Sequence, residues 1–327
     1  MIYEDIKNFQ KQFSFRPAIE NGELQGFRKF IVAGMGGSNL AADLVKILRP
    51  DLEIVVHRDY GLPEYLGEDL PAQAGTLVVL SSYSGNTEEA IDAYREAGRR
   101  NLPRVTIGAD GELLALAKED GVPYIKFPGD KIQPRVAIGW SFLALLKIIG
   151  DEKLLKDAAN LAETLNPSDW EDESKKLAGE LKNFTPVIYA SNRNKGLSYI
   201  WKIVLNETGK VPAFANVLPE LNHNEMTGFS AEGGSASGGD THFRNFFFVL
   251  LKDNDDNPRI LKRMDVLKDL YEKRGFGVEI LELRGQPLPK IFSSVVMANW
   301  TAYYLAKSRG LDPEAVPMVE EFKKLIK

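Results

Sequence analysis

The feature that most constrains this chain is an alternation of short apolar runs with helical patterns. "KFIVAG" (29–34), "LEIVVH" (52–57), "GTLVVLSS" (75–82), "PRVTIG" (103–108) and "VPYIKFP" (122–128) read as buried strands. Between them lie amphipathic patterns such as "NLAADLVKILR" (39–49) and "NTEEAIDAYREAGRR" (86–100). "RVAIGWSFLALLKIIG" (135–150) closes the series as a mostly buried helix. Apolar strands separated by helices imply a parallel sheet covered on both faces. The pattern then restarts. "TPVIYAS" (185–191), "FRNFFFVLLKD" (243–253) and "GVEILELRG" (277–285) are strands, with helices over 194–209, 260–275 and 293–310 and a short one at the C-terminus. Polar, charged sequence over 151–184 reads as a connector with exposed helices. Both halves open with strand, polar loop and helix, which predicts two related α/β domains over 1–152 and 153–327. A chain of 327 residues fits two domains of about 150 each.

Composition removes several classes of chemistry. A net charge of −5 leaves no basic footprint for nucleic acid. No stretch reaches the roughly 18 uninterrupted apolar residues that a membrane span needs, and "MIYEDIKNFQKQF" lacks the pattern of a leader. The expectation is a cytoplasmic protein. There is no cysteine, so disulfides, thiolate nucleophiles and zinc–sulfur sites are excluded together. His57, His223 and His242 are scattered, and the expectation is no metal and no cofactor.

Two loops carry a binding signal. "AGMGGSNLAADLV" sets Gly34, Gly36, Gly37 and Ser38 between a strand and a helix, where backbone N–H groups and the helix dipole suit an anion. The spacing is neither GxGxxG nor a P-loop; a glycine turn needed only for packing is the plainer alternative. "LSSYSGNTEEA" (80–90) places Ser81, Ser82, Ser84 and Thr87 within seven positions after another strand. A helix cap needs one hydroxyl; four suit the oxygens of a phosphate monoester. Loops at the carboxyl ends of neighbouring parallel strands converge on one crevice.

Through "GMGGS" followed by "SSYSGNTEE", the chain resembles the sugar isomerase (SIS) domain. "QPRVAIGW" (133–140), "NETGKVPAF" (206–214) and "PELNHNEMTGF" (219–229) narrow the likeness to the bifunctional phosphoglucose/phosphomannose isomerases, over nearly the whole chain. The resemblance implies two tandem SIS domains, each a flavodoxin-like three-layer sandwich, and a homodimer whose active site uses both domains. It implies phosphate contacts at Gly36, Gly37, Ser38, Ser82, Ser84 and Thr87, and Arg135 near the reacting carbons. The substrate class it implies is a hexose 6-phosphate.

Aldose–ketose isomerisation needs a base, a donor for the developing oxyanion and a ring-opening group. Glu207 ends an amphipathic helix near its apolar face, where partial desolvation raises a carboxylate's proton affinity. An ordinary solvated glutamate is the alternative. The resemblance makes Glu207 the base. His223 stands in "ELNHNE", a polar setting unlike a core; the resemblance makes it the ring opener, reaching the other subunit's site. The C-terminal "VPMVEEFKKLIK" offers Lys323, beside Lys324, for ring chemistry. Some relatives carry a threonine near the place of Val316, which cannot donate a hydrogen bond. Two rivals stand: a non-catalytic sugar-phosphate sensor, and an isomerase of another phosphosugar. The Gly/Ser-rich "SAEGGSASGGD" (230–240) reads as a mobile loop or lid.

Overall fold

The computed structural model describes residues 1–64, 75–129, 132–229 and 245–326; the 230–240 stretch and His242 lie outside them. Two compact units are present. The first is Asn8–Leu165; the second joins Met1–Lys7, which forms helix α1 (Ile2–Lys7), to Asn166–Lys327.

The first unit runs β1 (Lys29–Ala33), α2 (Leu40–Leu48), β2 (Glu53–His57), β3 (Thr76–Ser81), α3 (Glu88–Arg99), β4 (Arg104–Gly108), α4 (Glu112–Glu119), β5 (Tyr124–Lys126) and α5 (Ile138–Ile149). Its strands are all parallel in the order β2-β1-β3-β4-β5, with Val32 opposite Val56 on one side and Val79 on the other. Side chains alternate across a strand. Ile31, Val78 and Leu80 pack with Ile91, Tyr94 and Leu113 of α3 and α4, while Phe30, Val32, Leu77 and Val79 are buried on the opposite face. Helices α6 (Glu152–Ala159) and α7 (Leu161–Thr164) pack back on α5 and on the turn Phe9–Ser14, so the unit runs to Leu165.

The second unit holds α8 (Glu171–Leu181), β6 (Thr185–Ser191), α9 (Lys195–Glu207), β7 (Phe214–Leu218), α10 (Glu225–Gly228), β8 (Phe246–Asp253), α11 (Pro258–Glu272), β9 (Gly277–Leu283), α12 (Pro287–Ser308) and α13 (Pro317–Leu325). Its sheet is also parallel, in the order β7-β6-β8-β9. The connector expected to be exposed contributes to the core instead: α8 buries Ser174, Leu177, Ala178 and Leu181 and packs on α12. Among the described residues no helix is long and apolar enough to cross a membrane.

Candidate active site

The first unit has the 2-1-3-4-5 strand order, whose crevice lies between the ends of the first and third strands. The glycine loop follows β1, and the hydroxyl loop follows β3. Two close approaches explain the glycines. A Cβ on Gly34 would lie 2.4 Å from the Ser81 carbonyl oxygen, and one on Gly37 would lie 2.8 Å from the Arg135 nitrogen. The loops are also bonded to each other. Ser81 Oγ donates to the Ser38 carbonyl at 2.6 Å, and the Tyr83 N–H donates to Ser38 Oγ at 3.0 Å. Ser82 Oγ and Thr87 Oγ1 stand 2.8 Å apart, and the Asn86 N–H donates to Ser84 Oγ at 3.2 Å. The loops that carry Gly36, Gly37 and Ser38 and Ser82, Ser84 and Thr87 therefore lie side by side, with the backbone of Arg135 against Gly37.

Arg135 lies in the turn ahead of α5 rather than in the helix, 2% exposed, and its Nη1 donates to Gln133 Oε1 at 3.1 Å. Two holders of this crevice escaped the sequence reading. Asn39, fully buried, donates from Nδ2 to the Gly34 carbonyl at 2.5 Å and closes the glycine loop. Gln12 fixes the turn that carries Arg135, donating to the Val136 carbonyl and accepting from the Gly139 N–H, each at 2.9 Å.

Glu207, His223 and Lys323 belong to the second unit. Glu207 is half-buried at the last turn of α9, where the Lys210 ammonium donates to its carbonyl and to that of Ala315. The same lysine thus joins the end of α9 to the chain entering α13. Lys323 is exposed and pairs with Glu320 at 3.1 Å; Val316 precedes the helix. His223 is exposed in the short turn Glu220–His223 beyond β7 and has no hydrogen-bond partner among the described residues. Because α9 crosses between parallel strands, Glu207 lies at the entry of β7 and His223 at its exit. Five residues at about 3.3 Å each put those two ends on the order of 15 Å apart. The structure does not bring them together within one chain.

At the matching crevice of the second sheet, between the ends of β6 and β8, the fold has placed its own charges. Ser191 Oγ donates to Asp256 Oδ1 at 2.7 Å, and Asn194 Nδ2 donates to Asp253 Oδ2 at 3.1 Å. Lys290, 4% exposed, reaches Asp253 at 2.5 Å and Asp255 at 2.6 Å. Its hydrogen bond holds the Asp255 carboxyl below the usual range, while burial pushes Asp256 up. The sequence signal for this cluster is the acidic "DNDDN" after a strand, with Lys290 in the first turn of a mostly apolar helix.

With this geometry in place, comparison with known proteins is decisive. Residues 170–326 match the model of the bacterial phospho-glucose isomerase C-terminal SIS domain. The bifunctional phosphoglucose/phosphomannose isomerase of Caldicellulosiruptor bescii is 31% identical, covering 98% of this chain and 96% of its own. That of Aquifex aeolicus is 30% identical over 100% of this chain and 98% of its own. The chain belongs to the bifunctional phosphoglucose/phosphomannose isomerase family. A hypothetical protein of Thermus thermophilus shares the fold, with a TM-score of 0.69 at 15% identity over 99% of this chain and 86% of that one. The α/β architecture of two parallel, helix-flanked sheets is the one expected for this family.

Proposed function

We propose that this chain interconverts glucose 6-phosphate and mannose 6-phosphate with fructose 6-phosphate, through an enediolate and without a metal ion. The observation that carries the reading is the crevice at the β1/β3 ends. Two hydroxyl- and glycine-lined loops are bonded edge to edge there, in a chain alike over its full length to named isomerases. Ser82, Ser84, Thr87 and the N–H groups of Gly36–Ser38 hold the phosphate. His223 of the partner subunit moves a proton from the anomeric hydroxyl to the ring oxygen, which opens the pyranose to the aldehyde. Lys323 supports that step. Glu207 takes the C2 proton; the electron pair forms the C1–C2 double bond, and the aldehyde oxygen becomes the enediolate oxyanion. Arg135 steadies that charge. Transfer of the O2 hydroxyl proton to O1 and return of the first proton to C1 give the ketose. C2 is trigonal in the enediolate, so return of the proton to C2 from either face links the two aldose epimers.

A homodimer is part of the reading. It is supported by the His223 imidazole, which has no hydrogen-bond partner among the described residues, at one end of β7 and Glu207 at the other, the two ends on the order of 15 Å apart. We place the activity in the cytoplasm, because a phosphorylated sugar is charged and does not cross a bilayer unaided. The test is a coupled assay on each hexose 6-phosphate, with and without a chelator. Turnover of both aldoses, unaffected by chelation, is expected. Tight binding without turnover would return the sensor reading, and loss of activity that zinc or magnesium restores would overturn metal independence.

A further inference from the structure

The turn that presents His223 is tied at nearly every polar side chain. Asn224 Nδ2 donates to Glu220 Oε1 at 2.8 Å, Asn222 Oδ1 accepts from Arg263 at 3.1 Å, and Asn224 Oδ1 accepts the Glu225 N–H at 2.5 Å. Glu225 is the tie that reaches the sheet. Its Oε1 accepts from the Tyr189 hydroxyl at 2.5 Å, and its Oε2 accepts from Asn216 Nδ2. Tyr189 and Asn216 stand opposite each other on β6 and β7, so one carboxylate spans two adjacent strands.

A short surface helix does not need this carboxylate merely to stay attached. Met226 and Phe229 already pack α10 on the cluster that contains Tyr189, Phe248 and Tyr271. Setting a carboxylate at the edge of such a cluster costs desolvation, which directional hydrogen bonds offset. Those bonds fix what apolar contact leaves free, the rotation of the turn. Burial, with Tyr271 and Glu225 beside it, pushes the Tyr189 phenol far above its ordinary value, so it remains a donor.

We propose that Glu225 is a positioning residue for His223: held by Tyr189 and Asn216, its carboxylate sets the direction in which the imidazole leaves the surface. This role rests on the reading of His223 as the ring-opening group. A misplacement of about 1 Å can cost on the order of 10²-fold in rate. Glu225→Gln leaves one acceptor oxygen where the carboxylate has two, so Tyr189 and Asn216 can no longer each donate to an oxygen of their own; Tyr189→Phe removes one of the two donors.

The experiment measures turnover of glucose 6-phosphate in the full chain for Glu225→Gln, His223→Ala and the double variant. If Glu225 acts through His223, Glu225→Gln lowers kcat roughly ten- to a hundredfold with little change in KM. The same substitution then changes nothing further once His223 is alanine. An equal loss in both backgrounds would mean Glu225 supports the fold or acts by itself, and full activity in the single variant would remove the role altogether. Should Glu225→Gln fail to fold, Tyr189→Phe carries the same comparison. If His223→Ala alone keeps full turnover, the ring-opening reading fails first, visibly and before Glu225 is considered, and the positioning role fails with it.

Discussion

Thr87 opens helix α3 with an extended backbone, as an N-cap residue does, yet its hydroxyl faces Ser82 and makes no cap bond. A threonine cap is worth about 1 kcal/mol to a helix. Here that stabilisation is forgone, which fits a hydroxyl reserved for a ligand. Thr87→Ala should therefore cost no cap stabilisation, lowering the melting temperature only by the loss of its bond to Ser82, while raising KM. One or two hydrogen bonds to a charged phosphate, roughly 1.5–3 kcal/mol each, correspond to at least about tenfold. Ser84→Ala should behave alike. Unchanged Michaelis constants in both would move the phosphate elsewhere, and a fall in melting temperature alone would make Thr87 structural. These hydroxyls were legible because they cluster in sequence between a strand and a helix. Gln12 was not: it grips the turn before α5 from more than a hundred residues away, and such a contact leaves no local pattern.

At the scale of elements, buried strands announce themselves by composition, and the runs at 29–34, 75–82 and 185–191 fold as β1, β3 and β6. Strand β7 does not. It is an edge strand, half-exposed along most of its length, so "FANVL" carries no continuous apolar run. The polarity of 171–181 likewise hid a face of α8 that α12 covers. The matching crevices of the two sheets differ in charge, and this has a measurable consequence. The first offers hydroxyls and N–H groups; the second contains Asp253, Asp255 and Asp256, with Lys290 between them. Carboxylates already occupy the place of an anion there, so a hexose 6-phosphate should titrate with one equivalent per chain. Two equivalents would show that the acidic crevice also binds. Lys290→Met would leave Asp253, which is 0% exposed, with the Arg193 guanidinium at 3.8 Å as its counter-charge, and breaking such a buried pair costs up to about 3–5 kcal/mol. KM should not move, and Lys290→Met with Asp253→Asn should recover much of the lost thermal stability. A Lys290→Met protein as stable as the parent would mean the pair contributes nothing.

The repeat of strand, loop and helix in the sequence foretold two sheets of one kind. How far apart Glu207 and His223 stand was not legible, because strand direction rather than spacing along the chain sets it. Glu207 and His223 lie sixteen residues apart in the sequence, yet at opposite ends of β7 in the fold. If each site pairs Glu207 of one subunit with the other subunit's His223, two impaired proteins should complement. Glu207→Gln keeps the shape of the side chain and removes its proton-accepting carboxylate, with an expected loss on the order of 10²–10⁴ in rate if Glu207 is the base. His223→Ala should lose less, since the sugar ring opens slowly unaided. In a dimer of one chain of each kind, one site carries both substitutions and the other carries neither. Random exchange makes about half the dimers mixed, each with one intact site of two, so roughly a quarter of the parental activity should return. Deuterium at C2 should exchange with solvent in the His223 variant and be retained in the Glu207 variant. Mixed dimers that form without regaining activity would place both groups in one subunit's site, and exchange that persists without Glu207 would mean another residue is the base.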